Sequence, residues 1–348
     1  GWGMGSITDI DGDPATSGWA VGRMEEGFVG RTCAGETASI TSVEPPSTTL
    51  ASPAPQEPTM ARPLKGAVKA VDVTKAAGLP TASQSWGAVA ADFDGDGLED
   101  VFLGRHGARA RLYLNEGARF VERDQRFGAG DRHACAAADV DDSGLLDLYC
   151  SFGASRGTGT KANQLWLDPG GAEPVLHPYA GGATEPLGRG RQARFLDIDE
   201  DGDLDLLLGQ ETKRMDGQPS LNRAYLHTGP ATFEAAEVPG IDSGLATEAL
   251  EVADYDGDGR DDVLLVYWDT RASEPQAGIR LYRNEDGAAF TDVTHATGIE
   301  SIGEHDAELA DLDGDGRLDL LQVSTDRLRV SLARGAEFER VFEQGVSG

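Results

Sequence analysis

An aspartate-rich loop that occurs five times constrains this chain more than any other feature. Each loop lies between two apolar runs, and the loops begin at Asp92, Asp139, Asp197, Asp254 and Asp311. Successive loops start 47, 58, 57 and 57 residues apart. Such an interval accommodates four short antiparallel strands with their turns, so each interval is interpreted as one unit of a repeat protein.

Two further strand-like segments follow each loop. The first recurs as RLYLNEG, NQLWLDPG, RAYLHTG, RLYRNEDG and RVSLARG, and the second begins with Phe120, Phe233, Phe290 and Phe338 in four of the five units. Four-stranded units at this period bury both faces against their neighbours when they are arranged radially. The sequence therefore predicts an all-β fold: a β-propeller of four-stranded blades, with six blades favoured over seven and the Asp-rich loops between strands 1 and 2.

The domain limits follow from composition. Residues 1–35 are predicted to be a partial N-terminal repeat that belongs to the propeller, 36–63 a Pro/Ser/Thr-rich linker or insertion, and 64–348 the propeller itself. The segment 68–80 resembles 290–299 and is expected to be a fourth strand. A sixth loop, with Asp9, Asp11 and Asp13, has Pro14 where glycine is needed, so we expect it to bind metal poorly.

The loops follow the pattern Asp-x-Asp-x-Asp/Ser-Gly-x-x-Asp, which is typical of a calcium site. Oxygen-bearing side chains at positions 1, 3, 5 and 9 converge on one point, with a main-chain carbonyl from position 7, and Ca²⁺ takes 6–8 such oxygens. The sequence predicts about five calcium ions. The predicted ligands, loop by loop, are Asp92, Asp94, Asp96, Leu98 and Asp100; Asp139, Asp141, Ser143, Leu145 and Asp147; Asp197, Asp199, Asp201, Asp203 and Asp205; Asp254, Asp256, Asp258, Arg260 and Asp262; Asp311, Asp313, Asp315, Arg317 and Asp319.

An ordinary turn and a magnesium site are the two alternatives to a calcium site. A single Asp/Gly loop can be an ordinary turn, but five loops in phase favour a metal. Magnesium keeps most of its water and does not need an all-protein cage. Ser143 replaces a carboxylate in the second loop, which is therefore expected to be the weakest of the five.

The formal net charge is −30, which repels nucleic acids and anionic membrane surfaces and favours cations as partners. A generally acidic surface that aids solubility is the alternative, but the acids are clustered in the loops. No apolar run reaches the roughly 18 residues that a membrane span needs. Cys135 and Cys150 flank the second loop, and a disulfide between them or two buried thiols are both open alternatives.

The loops and the flanking W-G-x-x-x-A-D and L-Y-x-N-x-G-x-x-F elements resemble the FG-GAP or VCBS repeats of integrin α-chain propellers and cartilage acidic protein-like proteins. The resemblance covers residues 64–348 well and residues 1–30 loosely. It implies a calcium-stabilised propeller on a secreted or cell-surface protein, used for adhesion or for recognition of a protein or glycan ligand.

We accordingly expect a non-enzymatic recognition module. The alternatives are a carbohydrate-active propeller such as a polysaccharide lyase, and a purely structural spacer. The motif G-x-S-x-G at 153–157 precedes a Gly/Thr loop rather than a helix, which disfavours a hydrolase. The six histidines show no close ligand pair along the sequence, so a zinc enzyme is not expected.

Strand alternation places the strand 2–3 and 4–1 connections opposite the Asp-rich loops. These connections carry more Lys and Arg than Asp and Glu, so this face is expected to be basic and to bind an anionic ligand through Arg189, Arg191 and Arg214. The alternative is that these arginines are solvated or paired with carboxylates.

Overall fold

A computed structural model describes residues 6–7, 18–20, 31–33, 70–81, 85–123, 127–153, 161–211, 213–214, 216–218, 220–241, 244–269, 276–285, 287 and 289–345. Within them the protein is all-β, as predicted, and five four-stranded antiparallel units follow one another along the chain. We number them blades 1 to 5. In every blade the strands pair in chain order, so each blade is a simple meander.

Each blade begins with the strand that precedes its Asp-rich loop, and the bounds of all strands are as follows. Blade 1 contains β5 Ser85–Ala91, β6 Asp100–Arg109, β7 Arg111–Asn115 and β8 Phe120–Glu122. Blade 2 contains β9 Ala129–Ala138, β10 Asp147–Phe152, β11 Gln164–Leu167 and β12 Val175–His177, followed by a 3-10 turn at Pro178–Gly182. Blade 3 contains β13 Gly190–Leu196, β14 Asp205–Gln210, β15 Arg223–Gly229 and β16 Thr232–Ala236. Blade 4 contains β17 Ala246–Ala253, β18 Asp262–Asp269, β19 Gln276–Asn284 and β20 Phe290–Asp292. Blade 5 contains β21 Glu304–Ala310, β22 Asp319–Ser324, β23 Arg327–Arg334 and β24 Glu337–Gly345.

Four short strands precede blade 1: β1 Ser6–Ile7, β2 Gly18–Ala20, β3 Arg31–Cys33 and β4 Ala70–Val71. β1 pairs with β4 and β2 with β3, which differs from the order in the blades. The loop at Asp9 to Asp13 and the linker 36–63 lie outside the described residues. The predicted domain limits and the count of six blades therefore stay predictions.

The hydrophobic core lies between the blades. Leu165 and Tyr149 of blade 2 pack with Leu208 and Tyr225 of blade 3, and similar clusters join blades 1 and 2, 3 and 4, and 4 and 5. The second strands are the most buried, and β10 and β14 are buried at every position. Burial of both faces of each sheet is what the repeat period predicts for radial packing.

A main-chain contact at the rim also joins successive blades. The N–H of Phe290, which begins β20, donates to the carbonyl of Pro239 in the turn after blade 3 (2.8 Å). Phe338 donates in the same way to Thr297, and Phe120 to Ala77. The recurrent phenylalanine of the fourth strand therefore marks the point at which one blade receives the turn of the preceding blade.

The segment that precedes blade 1 makes the same kind of contact. In the segment 73–79 the N–H of Ala77 donates to Val73, as the N–H of Thr297 donates to Val293 in the turn after blade 4. Ala77 packs against Val101 and Phe120 of blade 1. The segment 70–79 thus contacts blade 1 as the outer end of a preceding blade would, and of the fourth strand predicted at 68–80 the structure shows Ala70–Val71 as a strand and 74–78 as a turn.

Blades 1 and 2 are also joined edge to edge. β6 is ten residues long and extends past its partners in blade 1 to pair with β9, the first strand of blade 2. The register brings His106 opposite Asp131. The two blades consequently form one continuous eight-stranded sheet, whereas blades 3, 4 and 5 are separate four-stranded sheets.

Candidate functional site

The five Asp-rich loops share one framework, which is fixed by the aspartate at position 9. This residue begins the second strand and is at most 1% exposed in all five blades. In blade 1, Asp100 accepts the N–H of Phe93 in the loop (2.9 Å) and the N–H of Asn115 in the third strand (2.8 Å). The equivalent pairs of hydrogen bonds are made by Asp147, Asp205, Asp262 and Asp319.

The aspartate at position 1 folds the rest of the loop. Asp92 accepts the N–H groups of Gly95 and Gly97 (both 2.8 Å), and Asp254 and Asp311 accept the equivalent groups. The position-6 glycines all have a positive φ, between 84° and 97°, which glycine adopts without strain. The N–H of the position-7 residue donates to the side chain at position 5, as Leu98 does to Asp96 (2.8 Å). The same bond is made by Leu145, Asp203, Arg260 and Arg317.

This framework brings the predicted acidic ligands together. Carboxylate oxygens of Asp92, Asp94 and Asp96 lie within 4.8 Å of one another. The same holds for positions 1, 3 and 9 of the next three loops: Asp139, Asp141 and Asp147; Asp197, Asp199 and Asp205; Asp254, Asp256 and Asp262.

The electrostatics of the loops are unfavourable without a cation. Burial is the main cause that raises the pKa of Asp100, Asp147 and Asp205 to about 6. The two backbone hydrogen bonds lower these pKa values, and the neighbouring carboxylates raise them. The same causes raise the pKa of Asp262 to about 7. Buried carboxyls that resist ionisation beside other carboxylates are stabilised by a bound divalent ion.

The donor set fits calcium. All side-chain donors are oxygens, which a hard cation prefers, and Oδ1 of Asp197 is buried without a hydrogen-bond donor among the described residues. In two loops an arginine lies on the position-5 carboxylate: Arg260 on Asp258 and Arg317 on Asp315. These arginines offset part of the negative charge. The sequence pattern predicted only that their main-chain carbonyls are calcium ligands.

The second loop contains a carboxylate that the sequence pattern missed. Asp168, directly after the third strand of blade 2, accepts a hydrogen bond from the hydroxyl of Ser143 (2.8 Å). Its own N–H donates to Asp147 (3.0 Å). The equivalent third-strand residue is Asn115 in blade 1 and Asn284 in blade 4, so the sequence signal was an Asp in place of Asn in NQLWLDPG.

At the opposite end of the blades, each first strand contains an irregularity at the same position. The pairing of strands 1 and 2 shifts register six residues before the first aspartate of every loop. A β-bulge of this kind re-aims a side chain and is common next to binding sites. The residues at the five bulges, which we call the bulge ring, are Trp86, His133, Arg191, Glu248 and His305.

The bulge ring lies near the centre of the repeat array because the first strands of successive blades are neighbours. Its members from blades 1 to 3 are in contact. The ring of Trp86 stacks on that of His133 with centroids 5.4 Å apart, and Nη1 of Arg191 lies 3.2 Å from Nδ1 of His133. One repeat position thus carries an aromatic, a titratable and a charged residue in turn.

Two of the predicted ligand-binding arginines also lie here, and all three are paired with carboxylates. Nε of Arg191 donates to Oε1 of Glu211 (2.8 Å), and Nη2 of Arg189 lies 3.9 Å from the same oxygen. Nε of Arg214 lies 3.6 Å from Asp216. The structure therefore brings Arg189 and Arg191 together on Glu211, whereas Arg214 pairs with a different carboxylate.

A pair of histidines that the sequence does not reveal lies beside Arg191. Nδ1 of His106 lies 2.5 Å from Oδ1 of Asp131, and Nε2 of His133 lies 3.3 Å from the same oxygen. Sequence spacing gave no sign of this cluster, because it depends on the pairing of β6 with β9 across two blades. The six histidines have no close ligand pair along the sequence, and the fold brings two of them, His106 and His133, to one carboxylate.

Cys135 and Cys150 are opposite each other on β9 and β10 and form a disulfide. Of the G-x-S-x-G segment only Gly153 is described, so the assignment of that motif to a loop stays a prediction. Among the described residues no helix is long and apolar enough to cross a membrane.

Comparison with known proteins gives three kinds of similarity. The model of the FG-GAP-like repeat matches residues 92–150 and 197–265. Cartilage acidic protein 1 of Xenopus tropicalis is 31% identical over 204 residues, a region that covers 53% of this chain and 31% of that protein. The chain thus spans about a third of the length of this curated relative.

Two solved structures are similar at low TM-score. The V. cholerae biofilm matrix protein Bap1 is 15% identical, with a TM-score of 0.39, over 76% of this chain and 40% of that one. A protein of Bacteroides uniformis assigned as a 6-phosphogluconolactonase is 11% identical, with a TM-score of 0.45, over 74% of this chain and 73% of that one. The repeat match covers loops 1 to 4 completely and agrees with the four-stranded β-propeller blades described above, so this chain contains FG-GAP-like repeats at residues 92–150 and 197–265.

Proposed function

We propose that this chain is a calcium-stabilised recognition module of an extracellular or cell-surface protein and that it has no catalytic activity. The proposal that calcium binds rests on the shared loop framework. In blades 2 to 4 the carboxylates at positions 1 and 3 and that of the buried position-9 aspartate lie within 4.8 Å of one another. Bound calcium would supply the positive charge that these carboxylates need, and the chain's own residues hold the oxygens in place.

Two observations support the extracellular location. A disulfide joins Cys135 to Cys150, and structural disulfides persist mainly in oxidising compartments. The similar region of a cartilage acidic protein points the same way.

Calcium should bind the folded state and raise its stability. Each site adds about 2.7 kcal/mol at a hundredfold excess of ion over Kd. We would measure thermal unfolding in calcium and in chelator, with magnesium as the control, and count bound calcium by equilibrium dialysis. About five ions per chain are expected. Superimposable unfolding curves in calcium and chelator would reject the proposal.

The recognition surface is proposed to be the end that carries the bulge ring, with an anionic glycan or a carboxylate-bearing protein loop as the ligand. Because Arg189 and Arg191 are paired with Glu211, an anionic ligand must displace Glu211 or share the two arginines with it. Arg214 pairs with Asp216 instead, which makes it a useful comparison within the same basic face.

Binding to acidic polysaccharides across a salt series tests this part. Arg189→Ala with Arg191→Ala should weaken salt-sensitive binding, and Arg214→Ala should weaken it less. Binding that is equal in the wild type and the double variant would exclude this surface. Release of unsaturated sugars would instead assign the polysaccharide lyase alternative, and the absence of any ligand would favour a spacer.

A further inference from the structure

The cluster of His106, Asp131 and His133 has the composition of a transition-metal site. One donor atom from each residue lies within 4.8 Å of the other two. Imidazole nitrogens together with one carboxylate suit zinc and its neighbours in the first transition row, whereas calcium prefers oxygen donors alone. The chemistry of this cluster therefore differs from that of the Asp-rich loops.

The cluster is also far from those loops. His106 and Asp100 belong to the same strand, β6, six residues apart, which separates them by roughly 20 Å at about 3.3 Å per residue. Asp100 begins the strand at the loop end, and His106 lies at the end that carries the bulge ring. An ion bound at one end is therefore independent of the calcium loops at the other.

The donors are brought together by the pairing of β6 with β9, which among the described blades joins only blades 1 and 2, and by a bulge that every blade has. His106 lies on the extension of β6, where the register sets it opposite Asp131 on β9. His133 is aimed by the bulge in β9. At the position of His106 the other blades have Gly153, Glu211, Trp268 and Thr325, so the cluster occurs at a single blade junction.

The surroundings limit the mobility of the donors. The carboxylate of Asp131 is 2% exposed and the side chain of His133 8%, while His106 is 19% exposed. Trp86 packs against both imidazoles, with centroids 5.7 Å from His106 and 5.4 Å from His133. A Cβ at Gly153 would lie 2.5 Å from Nε2 of His133, so the absence of a side chain there leaves room for the cluster.

We propose that His106 Nδ1, Asp131 Oδ1 and His133 Nε2 bind one zinc-type transition-metal ion. Bonds of about 2.1 Å around a tetrahedral ion separate the donors by roughly 3.4 Å. Oδ1 of Asp131 already lies 3.3 Å from Nε2 of His133. Its distance to Nδ1 of His106, now 2.5 Å, must increase when the metal binds. Three protein donors leave a fourth position for water or a ligand on the side of the more exposed His106.

Arg191 sets a condition on metal binding. Its guanidinium can only donate, so Nδ1 of His133 accepts from it and the ring proton is on Nε2, facing Asp131. A metal at Nε2 displaces this proton, and a neutral ring then needs a proton on Nδ1. Arg191 must turn from His133 toward Glu211, which it already contacts through Nε. The proton that leaves Nε2 is then taken up by Nδ1 of the same ring, so metal uptake by this neutral histidine releases no net proton to the buffer.

The test is a cobalt titration of protein without a histidine tag, first stripped with chelator and then saturated with calcium. Calcium occupies the oxygen-rich loops, so a visible d–d spectrum of low-coordinate cobalt reports on the nitrogen-containing site. We expect one equivalent of Co²⁺ per chain, displaced by one equivalent of Zn²⁺. The absence of such a spectrum at any cobalt concentration up to precipitation would overturn the proposal.

The variants are His106→Ala, His133→Ala and Asp131→Asn, with His295→Ala as the matched control because His295 is exposed on the turn after blade 4. Each of the three should weaken cobalt binding by at least the roughly 10–100-fold that loss of an outer-shell partner costs, and the control should not. If His133→Ala does not fold, His106→Ala and Asp131→Asn decide. Wild-type affinity in either folded variant would show that the three residues form only a hydrogen-bonded cluster.

Calcium-induced stabilisation is measured in the same samples. A variant that keeps its response to calcium and loses cobalt binding supports a separate metal site. This design also distinguishes the two proposals, because the cobalt site does not depend on whether the Asp-rich loops bind calcium.

Discussion

Gly240 lies directly against the main-chain carbonyl of Phe290. Gly240 belongs to the turn after blade 3 and has a φ of 101°, and Phe290 begins the outer strand of blade 4. A Cβ built on Gly240 would lie 1.9 Å from the oxygen of Phe290. Gly78 and Gly182 face Phe120 and Phe233 in the same way, at 2.5 and 2.2 Å. The blades are therefore joined at a point that admits no side chain.

Gly240→Ala should accordingly destabilise the protein strongly. The substitution adds a steric clash with backbone to the cost of a positive φ, which alone is about 1–3 kcal/mol. The matched control is Gly217→Ala, whose φ is 78° and whose added Cβ would meet nothing within 4 Å. Chemical unfolding in calcium measures both. Equal losses of unfolding free energy in the two variants would mean that the contact with Phe290 has no energetic role.

Removal of a position-9 aspartate should cost one calcium ion and also some stability without calcium. Asp319 accepts the N–H groups of Leu312 and Ala333, both at 2.8 Å. Asp319→Ala leaves the buried N–H of Ala333 unsatisfied, at about 1–3 kcal/mol, and costs less at Leu312, whose hydrogen bond is only partly buried. Dialysis should show one ion fewer and chelator unfolding should show a less stable protein.

The control for Asp319 is Glu337→Ala, which removes one negative charge from the same blade outside the loop. It should keep every calcium ion. Loss of several ions from Asp319→Ala, with the protein still folded, would show that the sites are strongly coupled rather than coupled mainly to their neighbours.

Asp168 should compensate for the missing carboxylate in the second loop. Since it lies on Ser143, Asp168→Asn is expected to weaken calcium binding at that loop alone. Glu173→Gln is the control, because Glu173 is an exposed acid a few residues further along the chain. Calcium titration should show one weakened site for Asp168→Asn and none for Glu173→Gln. Unchanged calcium affinity at all sites would show that Asp168 does not compensate for Ser143. The second loop would then be expected to bind calcium most weakly, as its sequence predicts.

The stabilisation by calcium should grow with pH. The pKa values of Asp100, Asp147 and Asp205 are raised to about 6 and that of Asp262 to about 7, mainly by burial, from an ordinary 3.8. Without calcium these groups contribute stability that is present below the ordinary pKa and is lost as pH rises through 6 to 7. Calcium requires the ionised form, so protons compete with it at low pH.

Thermal unfolding in calcium and in chelator between about pH 5 and 7.5 checks the sign of this effect. The melting temperature in chelator should fall across this range, and the difference from calcium should widen. A difference that stays constant with pH would contradict the raised pKa values as its cause.

The features predicted from sequence are those set by local spacing. The loop from Asp92 to Asp100 closes within nine residues, so its pattern alone predicted which carboxylates converge. The blade pairing followed from the repeat period. His106 and Asp131, by contrast, meet only because β6 extends into the next blade, and no local pattern encodes that extension.

For the same reason, the sequence predicted the basic face but not the carboxylates that pair with its arginines. Charge counts placed Arg189, Arg191 and Arg214 on one face, but the geometry of single side chains decides pairing. Glu211 is 20 residues from Arg191 in sequence, but it directly follows β14, which pairs with β13, so the two side chains meet. Composition indicated a basic surface, and the fold supplied the carboxylate that neutralises part of it.

The edge-to-edge pairing of β6 with β9 has a mechanical consequence. Elsewhere in the described chain, successive blades meet face to face through side chains and rim contacts, and a pull on the chain can peel one sheet from the next. Blades 1 and 2 share main-chain hydrogen bonds in one sheet, and the disulfide at Cys135 lies in the strand that accepts them. The junction that holds His106 against Asp131 is therefore a shear-resistant seam, and a tensile load on this protein would separate its other blades first.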